Sequence, residues 1–587
     1  MRNPSICSQN DAAMARARLL GKLVVGALYF GLAIVLGRCF LLQCLPERRL
    51  EALAKSQHWR QVPVEAHRGR IFDCNGRLLA NTVEAQSVYV DPTKVKSEHR
   101  ALLASHLSRV VGISRTEVLR KLNSERRFVF IRRFLSQAEA HKVWRLMKHE
   151  STRNLFKPVH LMAESRRSYP NDGLAGQVLG VVGTEQNGLE GIEVQWNSVL
   201  SGEGGNQILI RDERGRSILL PGLRGKPPRP GDDLYLTIDS VIQEIVEKEL
   251  AKAMDESKPR CAWAVVIDPR TGDILAMASE PNFNFGHRNR YSRAEFSRRS
   301  RNRVVADIYE LGSTFKPFVA AAALNERLVK INTVFHCGHG SWRFGKRILH
   351  DHHPYGELDV AGILIKSSNV GSARIATLLG PWRLYAYLRE LGFGQRTGIR
   401  FPGEAKGILR PVRDWTSYSV QSIALGQEIS ATPLQMAMAF STIANGGVLL
   451  RPRLVKKVAD AQGRTLHTIP IVPVRRVYRS DMLREELNAA LCRVVREGTG
   501  RKARVEGYPI AGKTGTAQKL RIGRSTYMGS FISYAPADDP RLVIYFGVDE
   551  PTGSYYGGKV AAPHVGEIYR QVFEYLNIQP NMEVASR

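Results

Sequence analysis

Ser313 and Lys316 stand three residues apart in Glu310-Leu311-Gly312-Ser313-Thr314-Phe315-Lys316-Pro317-Phe318. A serine hydroxyl is a weak nucleophile until a neighbouring base takes its proton. A lysine amine becomes that base when burial or nearby positive charge lowers its pKa. The alanine-rich apolar run 319–324 follows, and Leu311-Gly312 breaks structure before it. A helix opening at Ser313 puts both side chains on one face, one turn apart. Pro317 fits such a helix because it falls in the first turns, where backbone N–H groups lack helical partners. Serine and lysine at ordinary usage produce S-x-x-K about twice by chance in a chain this long, so the pair alone decides nothing.

Two later motifs change the weighing. Ser367-Ser368-Asn369 and Lys513-Thr514-Gly515-Thr516 follow in that order. The order S-x-x-K, S-x-N, K-[ST]-G resembles that of the serine penicillin-recognising enzymes. The segment His67-Arg68-Gly69-Arg70-Ile71-Phe72-Asp73-Cys74-Asn75-Gly76-Arg77-Leu78-Leu79-Ala80 narrows the resemblance to class B penicillin-binding proteins, with Cys74 where an arginine is usual. Arg167-Ser168-Tyr169-Pro170 and Gly188-Leu189-Glu190-Gly191-Ile192-Glu193 extend it, as do Asp212 and Gly215-Arg216. These stretches are expected to be structural, with Arg167 and Glu193 as a buried ion pair.

The resemblance implies a reaction and a set of roles. Ser313 attacks the carbonyl between the two terminal D-alanines of a peptidoglycan stem peptide, and Lys316 accepts its proton. Ser367 relays a proton toward the leaving amine, supported by the charge of Lys513. Asn369 binds the substrate's peptide and helps hold Lys316. Thr514, Gly515 and Thr516 bind around the terminal carboxylate, and the N–H groups of Ser313 and Thr516 form the oxyanion hole. An amine from a second stem peptide then takes the acyl group. β-Lactams would acylate Ser313, and neither metal nor organic cofactor is required.

The elements that must position these residues can be placed along the chain. Residues 19–45 are apolar apart from Lys22, Arg38 and Gln43, long enough to span a bilayer as an uncleaved signal anchor. Arg2, Arg16, Arg18 and Lys22, against Asp11 alone, put residues 1–18 in the cytoplasm and everything after the span outside, at the cytoplasmic (inner) membrane. A helical connector from Glu47 leads into a β-rich, non-catalytic pedestal over 46–220, in which Asn75-Gly76 reads as a hairpin turn and 92–150 as helix-prone. The Gly-, Pro- and Arg-rich stretch 221–233 reads as a linker. The transpeptidase domain is expected over 234–580. Its strands fall at 234–238, 262–268, 274–279, 529–534 and 541–548, and its helices at 240–254 and 565–576. The fold class is α+β. The family resemblance implies a five-stranded antiparallel sheet flanked by helices, with a helical subdomain.

At 587 residues the chain has room for several domains, and its net charge of +30 suits an anionic membrane surface or a pyrophosphate-bearing precursor. No nucleic-acid module accompanies that charge. Seven arginines against one acid, Glu295, between 288 and 303 read mostly as a solvated loop. The seven cysteines are scattered and do not form a disulfide framework. His336, Cys337, His339, His350, Asp351, His352 and His353 have zinc-ligand chemistry, but their spacing matches no metal pattern and favours a loop of exposed histidines.

Ser367-Ser368-Asn369 favours the division-specific branch over the elongation branch, whose members carry aspartate at the place of Asn369. Leu425-Gly426-Gln427-Glu428 departs from the division branch's Gly-Tyr-Gly. No glycosyltransferase module is visible. Polymerisation is therefore expected from a multi-pass membrane glycosyltransferase that meets the anchor helix, alongside other division proteins. The competing readings are an elongation-type transpeptidase, a D,D-carboxypeptidase, a β-lactamase or β-lactam sensor, and a non-catalytic division scaffold.

Overall fold

The computed structural model describes residues 5–44, 59–211, 217–218, 225–521 and 524–581. The connector after Glu47, the pedestal residues Asp212, Gly215 and Arg216, and the first linker residues 221–224 lie outside them. The chain divides into two compact units, Met1–Glu65 with Glu203–Arg229, and Ala66–Gly202 with Pro230–Arg587.

The first unit carries the helix Ser5–Cys44, whose segment Ala13–Leu41 has a mean hydropathy of 2.2 and buries none of its surface against the described protein. An apolar helix of that length with outward-facing leucines suits hydrocarbon rather than a protein core. The helix starts earlier than the expected span. The same unit holds the strand Trp59–Val64, paired antiparallel with Gly205–Arg211.

In the second unit the pedestal is built on the long strand Leu78–Val90. It pairs with Val159–Ser168 on one side and Val129–Leu135 on the other. Alternate residues Val88, Val90, Ile131, Leu135 and Val159 face the helices Ser97–Val111, Arg115–Leu122 and Gln137–Lys148, which bury Leu103, Leu107, Val118 and Val143 against them. The strand Val129–Leu135 interrupts the helix-prone stretch 92–150, its alternation masked by the adjacent Arg132, which reaches Glu139 of the helix Gln137–Lys148, and Arg133, which reaches Glu164 of the neighbouring strand.

Arg68, Arg167 and Glu193 meet in the pedestal's interior. Arg68 Nε lies 2.6 Å from Glu193 Oε2, and Arg167 Nε 2.7 Å from Oε1, with all three side chains at most 1% exposed. The pair expected from sequence is thus a triad.

The short strand Ile71–Phe72 pairs with Leu78–Val90 on one side and runs parallel to Asp233–Leu236 on the other. Asp233–Leu236 in turn pairs with Val455–Ala459, so one sheet runs from the pedestal into the residues that follow the linker. Arg70 closes this seam with two hydrogen bonds to Asp233 Oδ2, at 2.6 and 3.0 Å.

The five-stranded sheet is antiparallel throughout. Its order is Asp273–Glu280, Cys261–Asp268, Leu542–Asp549, Arg524–Ala535, Ala511–Arg521. Cys261–Asp268 is buried on both faces. Ala262, Ala264 and Val266 join a core under the helices Ser240–Ser257 and Ala562–Tyr575, while Trp263, Val265 and Ile267 join the larger core on the opposite face. That double burial explains its unbroken apolar sequence.

Candidate active site

The larger core carries the helix Lys316–Asn325, of which Lys316 to Leu324 are all buried. Its start corrects the reading of Ser313 as the residue that opens the helix. Gly312–Phe315 form a tighter 3-10 turn, and Lys316 is the first residue of the α-helix. In a turn of about three residues, positions i and i+3 eclipse, so Ser313 and Lys316 still share a side. The hydroxyl that bonds the local backbone belongs to Thr314, which donates to Leu311 O at 2.6 Å. Ser313 makes no side-chain hydrogen bond among the described residues and is half-buried.

Three glycines let this turn sit where it does. Leu311 N and Gly312 N both donate to Gly426 O, at 3.0 and 3.3 Å. Gly312 has φ +56°, and a Cβ there would lie 2.7 Å from Thr516 O. A Cβ on Gly426 would stand 2.3 Å from Gly312 O, and one on Gly515 2.7 Å from the Thr314 methyl. The turn is wedged between the loop at 426 and the edge strand Ala511–Arg521.

The S-x-N motif lies at the junction of two helices. Ser367 ends Val360–Lys366 in the left-handed region (φ +59°), a conformation that costs a serine energy and aims its side chain out of the helix run. Ser368 caps Asn369–Glu390 by accepting from Gly371 N at 2.9 Å. Asn369 is then the first helical residue. Lys316 Nζ donates to Ser367 O (2.6 Å), to Asn369 Oδ1 (2.8 Å) and at 3.4 Å to Ser367 Oγ. From the edge strand, Lys513 Nζ donates to the same Ser367 Oγ at 2.8 Å and to Thr514 O at 3.1 Å. The structure therefore brings Lys316, Ser367, Asn369 and Lys513 together by hydrogen bonds, with Ser313 in the 3-10 turn that leads into Lys316. Thr514 shares a 2.6 Å hydrogen bond with Thr499, and half-buried Thr516 accepts from Gly557 N at 3.5 Å.

Both lysines are essentially buried, at 1% and 0% exposure. Burial lowers the Lys316 pKa to about 7, with the charge of Asp351 acting in the other direction. Burial, and then the charge of Lys316, hold Lys513 well below the ordinary lysine range. A half-buried hydroxyl beside an amine that sheds its proton near neutrality is an arrangement for acyl transfer.

The chain matches the family described as the penicillin-binding protein transpeptidase domain over residues 262–571, more than half its length, and the penicillin-binding protein dimerisation domain over 63–236. The chain belongs to the penicillin-binding protein transpeptidases. This transpeptidase is 34% identical to the stage V sporulation protein D of Bacillus subtilis, over 96% of this chain and 86% of that protein. It is 30% identical to the peptidoglycan D,D-transpeptidase FtsI of Escherichia coli K12, over 95% and 92%. Among solved structures, penicillin-binding protein 3 of Mycobacterium tuberculosis in complex with aztreonam superposes with a TM-score of 0.68 at 27% identity, covering 88% of this chain and 98% of that one. Membership makes the protein an acyl-transferring enzyme of the serine type.

Sequence reading missed Asp351 as part of the site. Its carboxylate accepts from Ser368 Oγ at 2.7 Å, from Val370 N at 3.1 Å and from Asn369 N, and the neighbouring His350 O receives Asn369 Nδ2 at 2.9 Å. Asp351 satisfies free N–H groups that open the next helix, a pairing across 18 positions that no local pattern marks. The histidines themselves are exposed, and no group of three metal-ligating side chains comes together among the described residues. The arginine stretch is partly structural: Arg303 is buried on Asp307, Arg299 pairs with Glu295, and Arg288 donates to Val182 O at 2.8 Å.

Proposed function

We propose that this transpeptidase cross-links peptidoglycan as a D,D-transpeptidase acting in septal wall synthesis. The observation that supports this most is Lys316, buried without a carboxylate partner in ion-pair reach among the described residues and poised near pH 7 one turn after Ser313. In its neutral form Lys316 takes the Ser313 proton as Oγ attacks the penultimate D-alanine carbonyl. The N–H groups of Ser313 and Thr516 receive the oxyanion. Ser367, hydrogen-bonded to both lysines, passes a proton to the departing D-alanine amine. Thr514, Gly515 and Thr516 line the place of the terminal carboxylate, and Asn369 positions the peptide while holding Lys316. An amine from a second stem peptide then attacks the acyl-serine and restores the hydroxyl. β-Lactams, whose ring carbonyl mimics the scissile bond, acylate Ser313.

The helix through Ala13–Leu41 anchors the enzyme once in the cytoplasmic membrane. Arg16, Arg18 and Lys22 near its start favour a cytoplasmic N-terminus and an external catalytic domain. The partners are a multi-pass membrane glycosyltransferase and other division proteins. We assign the division of labour along the chain as anchor over 19–45, pedestal over 46–220 and transpeptidase over 234–580.

The test is labelling of the full-length protein with a fluorescent penicillin, wild type beside Ser313→Ala, followed by intact mass over hours. A long-lived adduct confined to wild type is expected. Loss of the adduct within minutes points instead to a hydrolase, and no adduct leaves a scaffold. For the septal role, cells relying on Ser313→Ala are expected to filament, and normal division in them contradicts the reading.

A further inference from the structure

The strands Ser341–Phe344 and Arg347–His350 pair with each other and with no other described strand. Gly345, at φ +58°, is the first central residue of their two-residue turn. The hairpin nevertheless touches both halves of the active site. At its base, Asp351 and His350 O hold Ser368 and Asn369. At its tip, Lys346 N donates to Tyr418 OH at 3.0 Å, and Arg347 Nη1 donates to Ser422 Oγ at 2.6 Å and Nη2 to Gln427 Oε1 at 3.4 Å.

Ser422 lies in the short helix Ser419–Ala424, and its carbonyl receives Leu425 N and Gln427 N, both at 3.0 Å. Between those two residues is Gly426, whose carbonyl holds the turn of Ser313 through Leu311 N and Gly312 N. Under the hairpin, Leu349 packs with Val370 and Ala373 of the S-x-N helix and with Leu425, in a small apolar cluster separate from the main cores.

We propose that this hairpin is a brace that fixes the nucleophile turn against the S-x-N motif, and that Arg347 is its positioning residue. The inference rests on the transpeptidase reading. Arg347 acts through Ser422, Gln427 and Gly426. The guanidinium spans two acceptors with a fixed fork, which an ammonium on a flexible stem does not reproduce. Its loss frees the loop at 425–427 to shift, and a displacement of about 1 Å at the reacting groups costs up to roughly a hundredfold in rate.

The experiment measures acylation of the full-length protein by a fluorescent penicillin, separating the first-order acylation constant from the reversible dissociation constant. Arg347→Ala and Ser422→Ala are each expected to lower the acylation constant by roughly tenfold to a hundredfold. The dissociation constant and the fraction of molecules finally labelled stay as in wild type, and Arg347→Lys recovers little of the loss. The double variant is expected to be no slower than the slower single one, because both changes cut the same link. A wild-type acylation constant in Arg347→Ala, independent multiplying effects, or a loss confined to the labelled fraction overturns the brace alone. If Arg347→Ala does not fold, Ser422→Ala, which removes one hydroxyl, decides the matter by the same criteria. Failure of the wild type to label at all overturns the transpeptidase reading, and the brace with it.

Discussion

Arg68 and Arg167 in the pedestal and Lys316 and Lys513 in the active site are all buried, and the two pairs are handled in opposite ways. In the pedestal, Arg68 and Arg167 each meet a separate oxygen of Glu193, and other donors of the two reach Asn197 Oδ1 and backbone carbonyls. In the active site, Lys316 and Lys513 meet hydroxyl, amide and carbonyl oxygens, and no carboxylate lies within ion-pair distance among the described residues. A buried cation with a matched anion keeps its charge and serves as structure. Two buried cations that face each other without an anion relieve the burden by releasing a proton, and a released proton leaves a base. The residue types agree with this division, since a guanidinium cannot deprotonate in a protein and an ammonium can.

The largest effect comes from deleting the active-site base. Lys316→Met keeps most of the volume and removes the proton acceptor, so penicillin acylation should fall by about 10² to 10⁴-fold in stopped-flow labelling. Next comes the pedestal. Glu193→Gln leaves two arginines buried with half their pairing, and denaturant unfolding should show a loss of about 3–5 kcal/mol. Its folded fraction should acylate at the wild-type rate, which a coupled mechanism would contradict.

Asn369→Asp turns one cluster into the other by placing a carboxylate where an amide oxygen now sits 2.8 Å from Lys316 Nζ. The wild-type acylation rate should rise with pH through about 7, as Lys316 loses its proton. The aspartate variant should move that limb upward by about 1–3 pH units, and an unmoved limb would remove Lys316 from the role of base.

The smallest effect uses the mirror case, a half-buried acid with no cation in ion-pair reach among the described residues. Burial raises Glu247 to about 7, its contacts being Gln243, Ala175 N and Asn282. Its folded pKa lies above the unfolded value of 4.5, so its stabilising contribution is whole below about 4.5 and is lost as pH rises through 7. Glu247→Gln should therefore flatten the fall of Tm between pH 5 and 8 and gain about 1–3 kcal/mol at the upper end.

Much of the site was legible because its chemistry depends on side-chain identity at short range. Ser313 with Lys316, Ser367 with Asn369, and Lys513 are each set by a local element, and the three motifs together left few alternatives. Asp351 was not legible, because its partners are N–H groups of a helix that begins 18 residues later in the chain. Arg68 was in a recognised segment, yet nothing local marks it as sharing Glu193 across 125 positions. Of the catalytic sheet, Cys261–Asp268, Asp273–Glu280 and Leu542–Asp549 were placed to within a few residues and Arg524–Ala535 only in its second half; Ala511–Arg521, polar along much of its length, was not marked as a strand, and the expected strand at 234–238 belongs to the sheet shared with the pedestal. The helix start was misplaced because Ser313 is a good capping residue by type, while the wedge of glycines imposes a tighter turn that leaves its hydroxyl uncommitted.

The strand Asp233–Leu236 opens the residues after the linker, yet it hydrogen-bonds to Ile71–Phe72 on one side and Val455–Ala459 on the other. In mechanical terms that sheet is a beam without a joint. Torque applied to the pedestal helices reaches Val455–Ala459 through a ladder of backbone bonds instead of dissipating in a tether. Heat must likewise break the ladder and both cores it separates in a single cooperative step. Two families of sequence meet along this chain, and calorimetry should nonetheless find one melting body from Ala66–Gly202 and Pro230–Arg587.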